Sequence, residues 1–117
     1  MQTKEIVKLI ENVLDDHKGL DITVLDVIGK TSVTDYMVLV TSTSARHSKS
    51  LAAYVVEKVK ENNLTLLGVE GEQGSDWVLV DLGDIVLHIM TEEARGFYAL
   101  EKLWSVDRVE ELEEIEK

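Results

Sequence analysis

Trp77-Val78-Leu79-Val80-Asp81-Leu82-Gly83-Asp84-Ile85-Val86-Leu87-His88-Ile89-Met90 holds two apolar, β-rich runs divided by the turn-forming triplet Leu82-Gly83-Asp84. The pattern predicts two strands joined by a tight turn, a β-hairpin. Strand side chains alternate between faces, so Val78 and Val80 fall on one side of the first run, and Trp77, Leu79 and Asp81 on the other. In the second run Ile85, Leu87 and Ile89 form one set, and Val86, His88 and Met90 the other. The wholly aliphatic sets belong in a core. The mixed sets, with Trp, Met and a few polar groups, have the composition of the centre of a protein–protein interface. They also fit a second, less regular core under helices that cover both faces of a sheet. Pattern alone leaves both readings open.

On either side of the hairpin the chain alternates between helical and strand periodicity. Thr3 is the expected N-cap of a first helix, in which Ile6, Ile10, Val13 and Leu14 recur at helical spacing until Gly19 supplies a stop. Leu20 to Val27 reads as a strand, and a turn around Gly29-Lys30-Thr31-Ser32 follows. Asp35 to Thr41 is near-continuously apolar and reads as a central strand. The hydroxyls of Thr41-Ser42-Thr43-Ser44 can cap a second helix, whose inner face is Leu51, Ala52, Val55 and Val59 and which ends near Asn62-Asn63. Thr65 to Glu70 is the next strand, and Gly71 to Asp76 the loop into the hairpin. After Met90, Thr91 followed by Glu92 and Glu93 starts a third helix, with Phe97, Leu100, Glu101 and Trp104 on one face and Trp104 in the core. From Ser105 the chain is Glu-rich, a frayed helix or disorder. The expectation is one α/β (α+β) domain with a mixed five-stranded sheet, in the order α-β-β-α-β-β-β-α.

With 117 residues, 44% of them hydrophobic, the chain can bury a core without staples. It contains no Cys, which excludes disulfides, thiolate catalysis and Cys-based zinc sites. No apolar run approaches the roughly 18 residues of a membrane span, and no signal peptide is visible, so a soluble cytoplasmic protein is expected. A formal charge of −11 opposes broad contact with nucleic-acid phosphates and favours a partner with a basic surface.

Most catalytic readings fail on spacing. Gly29-Lys30-Thr31 ends like a P-loop, but Val24 stands where the leading Gly belongs and a strand follows. Asp81 and Asp84 straddle a Gly turn without a third carboxylate to complete a metal cluster; turn chemistry accounts for Asp84, and Asp81 is less easily set aside. His17, His47 and His88 lie on different elements with no zinc-type pairing. The first two read as solvated helix-end residues and His88 as a structural histidine. Ser42, Ser44 and Ser48 read as caps and helix surface rather than nucleophiles. Arg46-His47-Ser48-Lys49, the one compact basic cluster, opens the second helix, where an anion could dock or the residues could simply face solvent.

Four segments, in order, carry a resemblance: Ser42-Thr43-Ser44-Ala45-Arg46-His47; Val69-Glu70-Gly71; the Trp77 to Met90 hairpin; and Arg95-Gly96-Phe97-Tyr98-Ala99-Leu100-Glu101-Lys102-Leu103-Trp104. Together they resemble the Iojap-like family of bacterial ribosomal silencing factors (RsfS), from the first helix to Trp104. The resemblance implies a small fold related to nucleotidyltransferases but without their catalytic motifs, and no cofactor. It implies binding to the large ribosomal subunit through large-subunit ribosomal protein fourteen, steric blocking of subunit joining, and lowered translation when nutrients are scarce. It also implies a tendency to form homodimers. Residues 1–104 would be the ribosome-binding domain and 105–117 an acidic tail.

The contact set expected on this basis is Trp77, Leu79, Asp81, Leu82, Val86, His88 and Met90, with Arg95 and Tyr98 from the family's Arg-x-x-Tyr, one helical turn apart. Leu82 and Met90 stand where many relatives have aromatic residues; both remain apolar, so the binding mode should persist. Arg95 could instead contact Glu92 or Glu101, and Tyr98 could pack under the sheet. The competing class is an enzyme of nucleotidyltransferase ancestry acting on nucleotides, which would need a Gly-Ser pair and closely spaced acidic residues that this sequence lacks at suitable positions.

Overall fold

A computed structural model describes residues 2–30, 32, 34–71 and 76–98, with the backbone alone at 96–98. The elements are α1 (Thr3–Asp16), β1 (Leu20–Asp26), β2 (Tyr36–Ser42), α2 (Ala45–Glu61), β3 (Gly68–Glu70), β4 (Trp77–Asp81), β5 (Ile85–Thr91) and α3 (Glu92–Tyr98). This is the expected order, on one five-stranded sheet arranged β1-β2-β5-β4-β3. The sheet is mixed because β2 and β5 run parallel while the other neighbours are antiparallel. The Trp104 position, the 105–117 tail, the Tyr98 side chain and most of the Gly71 to Asp76 loop lie outside the described residues.

Parity in the hairpin decides the layers. Val78 and Val80 of β4 and Ile85, Leu87 and Ile89 of β5 face one side, where they pack with Val38 and Val40 against Val7, Ile10, Val13 and Leu14 of α1 and Leu51, Val55 and Val59 of α2. This is the larger core, and it contains every residue expected there from the hairpin. A smaller cluster on the opposite face joins Val27, Met37, Leu39 and Met90 to Ala94 of α3, with Leu25 and Trp77 at its margin. Helices therefore lie on both faces. β2 and β5 are buried almost throughout, as their near-continuous apolar runs require.

The element ends correct several expectations. Gln2, not Thr3, caps α1, and its N–H donates to the Glu5 carboxylate at 3.4 Å. The helix ends in a Schellman arrangement, with Gly19 N–H donating to Leu14 O at 2.7 Å and Lys18 N–H to Asp15 O at 3.2 Å. Lys18, with φ 67°, takes the left-handed position expected of Gly19. Gly19 is needed for space: a Cβ there would sit 2.7 Å from Val40 Cγ2 and 2.9 Å from the Leu14 carbonyl oxygen. Gly19→Ala is expected to cost about 1–3 kcal/mol through this overlap, read as a lower urea midpoint with an unchanged slope.

Ser44 caps α2 as expected, accepting from His47 N–H at 3.1 Å. Asn63, at φ 54°, closes that helix where Asn62-Asn63 predicted. β3 is shorter than the expected Thr65–Glu70 run, because only three residues pair with β4. β2 runs one residue later than expected, since Asp35 precedes the ladder and donates its N–H to Asp84 O.

Candidate functional site

The β4–β5 turn sets the register of the second face. Leu82 N–H donates to Ile85 O at 2.9 Å, leaving Gly83 and Asp84 as the two central residues. Gly83 has φ 89° while Asp84 stays out of the left-handed region, the Gly-first pattern of a type II′ connection. Asp81, rather than Asp84, supplies the turn's side-chain bond: its carboxylate accepts from Gly83 N–H at 2.8 Å. One Asp81 oxygen is thus committed to the backbone.

Cross-strand pairing then lays out the face in rows. Thr41, Met90 and Trp77 form one row; Leu39, His88, Leu79 and Glu70 a second; Met37, Val86, Asp81 and Gly68 a third. α3 covers the β2 and β5 part through Ala94. Trp77, Leu79 and Asp81 on β4 remain half-buried, with Glu70 exposed beside them.

The eight expected contact residues whose side chains are described therefore do not all lie on one surface. Trp77, Leu79 and Asp81 share an accessible edge of the second face. Val86, His88 and Met90 share the face but are buried, Met90 completely, because β5 is flanked by strands on both sides and lies against helices. Leu82 belongs to the opposite face, packed against the larger core; it has the parity of Val78 and Val80. The Tyr98 side chain lies outside the described residues.

Arg95 is buried, and its described hydrogen bonds go to β1 and β2; Glu101 lies outside the described residues. Its guanidinium donates to the Asp21 carbonyl, to Thr41 Oγ1 at 3.0 Å and to Thr23 Oγ1 at 2.8 Å. The pairing of β1 with β2 shifts between Leu20 and Thr23, and Asp21 sits there at φ 48°. A bulge of this kind takes a carbonyl out of the ladder, and Arg95 uses it. Arg95 thus fastens α3 onto β1 and β2.

His88 is half satisfied. Its Nδ1 accepts the Trp77 indole N–H at 2.9 Å, while Nε2 is buried without a hydrogen-bond partner among the described residues. Burial lowers its pKa from 6.5 to about 4, so the imidazole is neutral at pH 7. The other two histidines are not simply solvated. His47 Nδ1 accepts from Thr43 N–H at 2.9 Å and its Nε2 donates to His17 O at 3.0 Å, riveting α2 to the end of α1. The His17 ring stacks on Tyr54 with centroids 3.5 Å apart. Ser48 is buried rather than on the helix surface, bonded to Ser42 Oγ at 2.5 Å and donating to Ser44 O.

The parallel strands end in an open groove lined by Thr41, Ser42, Thr43, Ser44 and Thr91, with Asp76, Glu92 and Glu93 and, among the described residues, no Lys or Arg. Ligands of α/β sheets often bind at such strand ends. Here the carboxylates would repel an anionic phosphate chain.

Sequence reading missed one component of the second face, Glu70, which pairs across from Leu79. Its signal lay in the strand alternation of Val69-Glu70, which sets Glu70 opposite to the buried side.

The ribosomal silencing factor model, described as "Ribosomal silencing factor during starvation", matches residues 1–117. The chain is 41% identical over 100 residues to Ribosomal silencing factor RsfS of Haemophilus influenzae, covering 86% of this chain and 98% of that protein. It is 33% identical over 103 residues to the mouse protein named Mitochondrial assembly of ribosomal large subunit protein 1, covering 86% of this chain and 45% of that one. A crystal structure of a Chromobacterium violaceum protein superposes with a TM-score of 0.86 at 42% identity, covering 89% of this chain and 87% of the other. The chain belongs to the RsfS family of ribosomal silencing factors.

Proposed function

We propose that the chain represses translation by binding the large ribosomal subunit through large-subunit ribosomal protein fourteen and excluding the small subunit by occupying its place. The protein then works as an obstacle and needs no covalent chemistry. Family membership supports the ribosomal setting, and the name of the mouse relative points to the large subunit.

The observation that carries the docking surface is a charge pattern. From Leu64 to Ala94 the chain holds Glu70, Glu72, Asp76, Asp81, Asp84, Glu92 and Glu93 and no Lys or Arg. Trp77 and Leu79 lie in the middle of this stretch, half-buried on a strand paired on both sides. An apolar anchor inside an acidic surround suits a basic protein surface: the charges steer the encounter and the apolar centre holds it. In this reading Trp77, Leu79 and Asp81 make contact, and residues 1–104 form the ribosome-binding domain ahead of an acidic tail.

Leu79 is the better probe, because Trp77 also packs at the margin of the smaller core and bonds His88, so truncating it would disturb the fold as well. Leu79→Lys is expected to weaken co-sedimentation with purified large subunits at least about tenfold and to leave the circular dichroism spectrum unchanged. Parent-like binding of this variant would remove the face from the interface. Adding the purified protein to separated subunits should prevent whole ribosomes from forming; undiminished joining would refute the obstacle mechanism.

A further inference from the structure

Trp77 is the largest side chain on the proposed docking face, and its value there depends on where its indole lies. The N–H donates to His88 Nδ1 at 2.9 Å, with ring centroids 5.6 Å apart and planes tilted by 47°. The two residues are not directly opposite: Trp77 pairs with Met90, and His88 with Leu79. The contact is therefore diagonal, and the indole leans along the hairpin toward the turn to make it.

The bond also fixes the imidazole tautomer. With Nδ1 accepting, the proton of the neutral ring is on Nε2, and that N–H has no hydrogen-bond partner among the described residues although His88 is only 5% exposed. A buried donor left unmade opposes folding. An aliphatic side chain could occupy the same site without that penalty. Among the described residues, the one polar contact His88 makes is the one that holds the indole.

The geometry points to His88 as a positioning residue of the docking face, which holds the Trp77 indole in the orientation that the partner meets. This rests on the reading of the face given above. Holding the ring before binding spares the complex the cost of ordering a large side chain on contact, which is how rigid anchors gain affinity.

The test compares the parent with His88→Leu, which fills the site but accepts nothing, and His88→Gln, whose amide oxygen can accept the indole N–H. Three quantities are read: melting temperature, affinity for purified large subunits, and deuterium exchange of the Trp77 indole N–H, assigned by its loss in Trp77→Phe. His88→Leu should melt at or above the parent, exchange its indole proton quickly and bind about five- to tenfold more weakly. His88→Gln should keep slow exchange and recover most of the affinity. If His88→Leu binds like the parent while Leu79→Lys does not, the positioning role is wrong and the docking face stands. If neither variant binds more weakly, the docking face itself is wrong, and this inference with it. Parallel loss of melting temperature and affinity in both His88 variants would make His88 a purely structural residue and also overturn the proposal.

Discussion

Arg95→Ala is expected to lower the stability of the domain by about 3 kcal/mol, read as a fall in urea midpoint. Among the described residues, α3 is held by Ala94 in the smaller core and by the Arg95 guanidinium, which reaches acceptors on both β1 and β2. Truncation leaves the Thr41 hydroxyl buried without that donor and opens a void where the side chain lay. Arg95→Lys should recover less than half of the loss, because a single ammonium cannot match the spread of a guanidinium across two strands. Parent-like stability of Arg95→Ala would show that α3 is held by something other than this fastening.

Acid should loosen the fold through His88. Its pKa in the folded protein, about 4, lies below the 6.5 of an ordinary histidine. Between those values the unfolded chain takes up a proton that the folded one refuses, so acid favours unfolding. The stability concerned is fully present above pH 6.5, is lost as pH falls toward 4, and changes no further below that. The shift corresponds to about 3 kcal/mol at most. The measurement is the difference between parent and His88→Leu in urea midpoints from pH 7.5 to pH 4. A difference that does not vary with pH would mean that the imidazole is already accessible to protons in the folded state.

The layers of the fold were legible because strand alternation and helical spacing both report burial. Val78, Val80, Ile85, Leu87 and Ile89 could be assigned to one core by parity alone. Parity places Leu82 with Val80, and the structure has it there, packed against the larger core; its place in the contact set rests on family likeness alone. Met90 and Val86 were ambiguous for a physical reason. A strand flanked on both sides and covered on both faces reads as apolar whether the second cover is a helix of the same chain or a partner.

What could not be read depended on contacts between distant parts of the chain. Arg95 bonds Asp21, and no local pattern announces that a bulge frees a carbonyl 74 residues away. His47 reaching His17 O, and the buried Ser42 and Ser48 pair, are contacts of the same kind. The left-handed Lys18 was hidden for another reason: Gly19, one residue on, looked like the stop, but its small size serves Val40 and Leu14.

The parallel pairing of β2 with β5 runs in register from Tyr36 and Ile85 to Ser42 and Thr91, with α2, β3 and β4 strung between them. While the chain is being synthesised, β2 emerges long before its inner neighbour and can pair only with β1. Its other edge stays bare until Ile85 and the residues after it have left the exit tunnel. The amino-terminal half consequently has no finished sheet to settle into, and completion waits on one late, long-range closure. A chain cut short before Ile85 would carry an open, oily strand edge, a template for sticking to its own kind and a handle for proteases.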